Sequence, residues 1–117
     1  MHSEELLELA QTSLEDLKAR DVRVFDVRNM TSVTDYFLLA SGTSDRHVRS
    51  LADKLVQSVK QAGESPLGVE GQDAGEWILI DLNDVVVHVM QPRTREFYKL
   101  EDLWTLGPSG EMELVSN

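Results

Sequence analysis

The sequence predicts a single α/β (α+β) domain: a mixed β-sheet of about five strands with helices mainly on one face. Three observations predict it. Apolar residues recur at helical spacing over residues 3–19 and 45–62, short strand-like runs separate and follow those segments, and EWILIDLNDVVVHVM (76–90) reads as a hairpin. At 117 residues the chain suits one domain, since domains cluster near ~100–150 residues.

The first helix carries Leu6, Ala10, Leu14 and Leu17 on one stripe and Glu8, Glu15 and Lys18 off it, with Ser3 as its expected N-cap. VRVFDV (22–27) alternates as a strand does, and NMTSVT links it to a second strand over residues 35–41. A helix over 45–62 places Val48, Leu51, Ala52, Leu55 and Val59 inward and Arg49, Asp53, Lys54, Gln57 and Lys60 outward. Gly63 is its expected C′ residue. LGVEG is a short strand and GQDAGE a loop. The strand–helix–strand step around the second helix requires at least one parallel pair.

In the hairpin, Asn83-Asp84 forms a two-residue turn, because both types tolerate positive φ. That register sets Leu82 opposite Val85, Ile80 opposite Val87 and Ile78 opposite Val89, giving an all-aliphatic face. Trp77, Leu79, Asp81, Val86, His88 and Met90 fall on the other side. The aliphatic face has first claim on the helices, so the mixed face is expected to be partly open.

With 21 acidic and 11 basic residues, and a net charge of −10, the chain is no broad nucleic-acid coat and suits a basic partner. Cysteine is absent, which removes disulfides, thiolate nucleophiles and thiolate metal sites. No apolar run approaches the ~20 residues of a membrane span, and MHSEELLELA is acidic where a signal peptide is basic. A soluble cytoplasmic protein with no membrane association is expected.

Two regions invite chemical readings. SGTSDRH (41–47), between a strand and a helix, has the setting of a phosphate-binding turn, but it lacks the lysine and glycines of a Walker loop and is not GxGxxG. Ser41, Gly42, Thr43 and Ser44 are read instead as a structural turn and helix cap, with a nucleotide-binding or nucleotidyltransferase-like site as the alternative. Asp81 and Asp84 are three apart, hence on opposite strand faces, and make no metal clamp. His88 lies diagonally from Asp81, within reach of an Asp–His contact, yet nothing in the hairpin supplies a nucleophile. No catalytic residue, metal site, cofactor or small-molecule substrate is assigned.

Charge patterning says more. No Lys or Arg occurs between Lys60 and Arg93, whereas Glu64, Glu70, Asp73, Glu76, Asp81 and Asp84 all fall inside that interval. Trp77 and Met90 inside an acidic rim have the composition of a face that docks a basic protein. The competing reading covers Trp77 with Phe97, Tyr98 or Trp104 of the C-terminal segment.

TDYFLLASGTSDRHV, PLGVEG, EWILIDLNDVVVHVMQ and YKLEDLW occur in the order and spacing of a known family. Over residues 5 to about 104 the chain resembles the ribosomal silencing factor family, related to the plant protein Iojap. The resemblance implies a nucleotidyltransferase-like fold without the catalytic acids, and an inherited turn now serving as a cap. It also implies binding to the large ribosomal subunit through ribosomal protein number fourteen, obstruction of small-subunit joining, and lower translation when nutrients are scarce. Positions matching the family pattern are Ser41, Gly42, Thr43, Arg46, His47, Glu70, Gly71, Trp77, Asp81, His88, Tyr98, Leu103 and Trp104. Asn83 replaces the glycine common at its turn.

The expected partner-binding residues are Glu70, Glu76, Trp77, Asp81, His88, Met90 and Tyr98. Ribosomal RNA near Arg46 and His47, and a homodimer through the open face, stay open as further partners. The domain is placed at 1–106, with GPSGEMELVSN (107–117) as a flexible acidic tail.

Overall fold

The structure, a computed structural model, describes residues 1–103. Trp104 and the expected tail at 107–117 lie outside the described residues. The elements follow the expected order: α1 (Ser3–Asp16), β1 (Arg20–Asp26), β2 (Tyr36–Ser41), α2 (Asp45–Gln61), β3 (Gly68–Glu70), β4 (Trp77–Asp81), β5 (Val85–Met90) and α3 (Pro92–Tyr98), closed by a short 3-10 helix (Leu100–Leu103). One sheet has the strand order β1-β2-β5-β4-β3. The β2–β5 pair is parallel, with α2 on the path between them, and the other pairs are antiparallel.

The hairpin register is the one the alternation demands: Ile78 pairs with Val89 and Ile80 with Val87, while the Leu82 amide donates to the Val85 carbonyl at 2.9 Å. Asn83 takes the positive φ of 74° that the turn needs. These aliphatics, with Leu38 and Ala40 of β2, are buried against Leu6, Ala10 and Leu14 of α1 and Val48, Leu51, Leu55 and Val59 of α2. Every residue of β2 is buried, as expected of a strand covered on both faces.

Helix α2 ends in a Schellman motif at Gly63 (φ 88°), where the Gly63 amide reaches the Lys60 carbonyl and the Glu64 amide the Val59 carbonyl, both at 3.0 Å. Helix α1 ends by the same device, but with Lys18 (φ 62°) in the left-handed position. It therefore stops at Asp16 rather than at residue 19, and Leu17 leaves the buried stripe. At its other end the N-cap is His2, not Ser3; the Glu5 carboxylate accepts from the His2 amide at 3.2 Å.

The third helix departs to the opposite side. Phe25, Val27, Phe37, Leu39 and Met90 form a second buried cluster on the mixed face, with Met30, Trp77 and Leu100 packed against it. Helices α1 and α2 share one face as expected, and the C-terminal segment covers part of the other. Replacing Lys18 by glycine removes the steric cost of the left-handed conformation, roughly 1 kcal/mol. Urea denaturation of Lys18→Gly is expected to show a higher midpoint at an unchanged m-value.

Candidate functional site

The mixed face is built by β-strand alternation. Trp77 pairs with Met90, Leu79 with His88, Asp81 with Val86, and Glu70 of β3 with Leu79. Val69 turns to the helical side, so Glu70 projects beside Leu79. Half-buried Leu79 and Val86 and half-buried Trp77 form an apolar strip. It continues into Tyr98, whose ring centroid is 4.9 Å from that of Trp77, and Phe97, 4.9 Å from Tyr98. Phe97 is 78% exposed and Tyr98 53%. Together with Glu76, Gln91, Arg93 and Thr94, these two line an open depression of about 290 Å³.

Glu70 and Glu76 are exposed and Asp81 is half-buried. Among the described residues, none of the three has a cationic partner within salt-bridge distance, in contrast to Asp26, Asp45, Glu64, Glu96 and Glu101. These three rim carboxylates are not ion-paired within the described fold, with Arg93 lining the same depression as Glu76.

Under the strip the expected roles change. Met90 is fully buried, because Phe25 of β1, Val27 just after it, and Phe37 and Leu39 of β2 close over it. It supports the face from below and does not extend a contact surface. His88 is also buried, and its partner is Trp77 rather than Asp81: the indole Nε1–H donates to His88 Nδ1 at 2.7 Å. The His88 ring lies 4.6 Å from that of Phe37. Asp81 instead accepts from the Asn83 amide at 2.8 Å and serves the turn. Burial pushes the His88 pKa down to about 4, which keeps the Nδ1 lone pair available at neutral pH.

At the C-terminal end of β2, the SGTSDRH turn uses its polar groups internally. Ser44 is the cap, its Oγ accepting from the His47 amide at 3.0 Å. The Thr43 amide donates to His47 Nδ1 at 2.9 Å, and Nε2 of the same ring donates to the Leu17 carbonyl at 2.8 Å, a geometry that sets the tautomer. His47 therefore fastens the end of α1 to the start of α2. A Cβ at Gly42 would lie 2.8 Å from Val48 Cγ2, so only glycine lets the turn press against the helix.

Ser41 is not part of the cap; its hydroxyl accepts from Arg95 at 2.8 Å. Arg95, buried in α3, also donates to the Asp21 carbonyl at 2.7 Å and holds Glu101 through two bonds of 3.2 Å. That contact holds the Glu101 carboxyl below the usual carboxylate range. The sequence reading missed Arg95, because nothing local separates it from the exposed arginines around it.

A family described as "Ribosomal silencing factor during starvation" matches residues 1–117. The chain belongs to this family. Ribosomal silencing factor RsfS of Chromobacterium violaceum is 41% identical over 104 residues, covering 89% of this chain and 85% of the relative. A crystal structure of a Chromobacterium violaceum protein superposes with a TM-score of 0.87 at 37% identity, covering 96% of this chain and 99% of that one. The mouse protein named "Mitochondrial assembly of ribosomal large subunit protein 1" is 38% identical over 103 residues, which is 86% of this chain and 45% of the mouse protein.

The positions matching the ribosomal silencing factor pattern fall into two structural groups. Glu70, Trp77, Asp81, His88 and Tyr98 converge on the mixed face or directly beneath it. Ser41, Gly42, Thr43 and His47 make the turn and its ties, while Arg46 is exposed beside it. Gly71 takes φ 91°, and a Cβ there would meet the Trp77 carbonyl at 2.0 Å. This glycine lets the 71–76 loop approach the strand that carries the indole. Among the described residues no cluster of His, Cys, Asp and Glu could hold a metal ion, and no helix is long and apolar enough to cross a membrane.

His88 yields a pH prediction. Its folded pKa of about 4 lies below the ordinary 6.5, so between those values the unfolded chain binds more protons. Stability is then full above pH ~6.5 and declines toward pH ~4, by roughly 3 kcal/mol in total. Glu101 and Asp26, lowered from 4.5 and 3.8, add their own losses at lower pH. Urea denaturation across pH 4–7 is expected to show this slope in the unaltered chain and a much flatter one in His88→Asn.

Proposed function

We propose that this chain is a non-enzymatic translational repressor. It binds the large ribosomal subunit through the basic ribosomal protein number fourteen, occupies space the small subunit needs, and so lowers translation when nutrients are limiting. Family membership supports the ribosomal role, and the mouse relative's name places that protein with the large subunit. One observation carries the docking mode: Trp77, Tyr98 and Phe97 form a part-exposed aromatic strip beside Glu70, Glu76 and Asp81, carboxylates with no cation partner among the described residues.

A basic protein surface supplies what this face lacks. Lys and Arg side chains neutralise the rim, while their aliphatic stems and neighbouring apolar groups cover the rings. In this reading Trp77 and Tyr98 are the apolar contacts, Glu70, Glu76 and Asp81 the charged ones, and His88 and Met90 the floor. Repression follows from occupancy alone, so no bond is made or broken.

Co-sedimentation with purified subunits tests this reading. The chain is expected to travel with the large subunit and not with the small one. Trp77→Ala should weaken binding at least tenfold, consistent with the ~2 kcal/mol or more typical of an aromatic anchor. Glu70→Lys with Asp81→Lys should weaken it to a similar degree while the circular dichroism spectrum is retained. Association should also slow as salt rises. Undiminished binding by the charge-reversed chain would remove the docking mode.

A further inference from the structure

The indole of Trp77 is held from inside. Its donor is spent on His88 Nδ1 at 2.7 Å, and its ring centroid lies 5.7 Å from that of His88 and 4.9 Å from that of Tyr98. His88 is itself fixed, 6% exposed, on the central strand β5, with Leu39 across the parallel pairing, the Phe37 ring diagonal to it, and Leu79 across the antiparallel pairing. Two features follow from that geometry. The indole has a preferred rotation about its side-chain bonds, because only one orientation aims Nε1–H at the buried lone pair. And the part of the ring that reaches solvent presents C–H edge and π-face, with no donor.

We infer that His88 is the positioning residue of the docking face: it touches no partner, but it orients Trp77 so that a hydrocarbon and π-surface, rather than an N–H, faces outward. This rests on the docking reading above and adds to it the chemistry of the contact. An outward indole without a donor accepts the stem of a lysine or the plane of an arginine, whereas it offers nothing to a carbonyl or phosphate oxygen. The low pKa of His88 is consistent with this role, since a ring protonated on Nδ1 would meet the indole N–H donor to donor. A histidine that only filled space would serve as well without its lone pair.

The test compares acceptor with no acceptor at one position. In a Trp104→Phe background Trp77 is the single indole, because the sequence holds two tryptophans. His88→Asn keeps an oxygen acceptor near the Nδ1 position and His88→Leu keeps none. Hydrogen exchange of the Trp77 indole proton, followed by NMR, is expected to stay slow in His88→Asn and to become at least tenfold faster in His88→Leu. Affinity for purified large subunits should stay within about threefold in the first and fall at least tenfold in the second.

Should His88→Leu lose its dispersed spectrum, His88→Phe, which keeps a ring over Phe37, replaces it with the same expectation. A folded, acceptor-free variant with unaltered indole exchange and unaltered affinity would overturn the inference. If the unsubstituted chain itself fails to bind large subunits, the docking reading falls, while the exchange measurement still decides whether His88 orients Trp77.

Discussion

The parallel pairing of β2 with β5 is the constraint on which the rest of the molecule depends. It aligns six residue pairs, from Tyr36 with Val85 to Ser41 with Met90, and brings the ends of both strands to one edge of the sheet. From Ser41 the chain turns into α2 on the helical face, and from Met90 it turns into α3 toward the mixed face. Adjacent parallel strands that send their connections to opposite sides create the crevice where related α/β folds place ligands. Here polar groups at that edge are engaged by the molecule's own side chains. His47 takes the Thr43 amide, and Arg95 reaches Ser41.

The two faces of the sheet do different work because the same strands alternate between two chemistries. The helical face is aliphatic apart from Tyr36 and buries most of the core. The mixed face grades from a closed cluster around Met90, Phe37 and Leu39 to an open margin at Leu79, Val86 and Glu70. Trp77 lies at the junction, its N–H directed to buried His88 and its ring beside exposed Tyr98. Rigidity on one side and access on the other come from a single side chain bridging the two zones.

Much of this was legible in the sequence. The hairpin register followed from Asn83-Asp84 and period-two alternation, which together leave one phase that keeps Ile78, Ile80, Val87 and Val89 dry. The turn to α2 and its stop at Gly63 followed from local backbone chemistry. What was not legible depended on contacts distant along the chain. Alternation placed Met90 on the mixed face correctly, but its burial is decided by Phe25 of β1 and Val27 just beyond it. His88 has Asp81 and Trp77 as equivalent diagonal neighbours in the register; the Asn83 amide engages Asp81, and the indole is long enough to reach. Arg95 finds its partners 74 and 54 residues back, a distance over which no local pattern operates.

That last connection has a consequence for when the protein can mature. The guanidinium that joins Asp21 to Glu101 ties a knot that cannot form until residues 95–101 have left the exit tunnel. Until then Leu100 cannot cover the greasy patch around Phe25 and Phe37, and the nascent polypeptide carries an adhesive surface. Completion of the aromatic strip thus waits until residues 92–103 have been made and have docked.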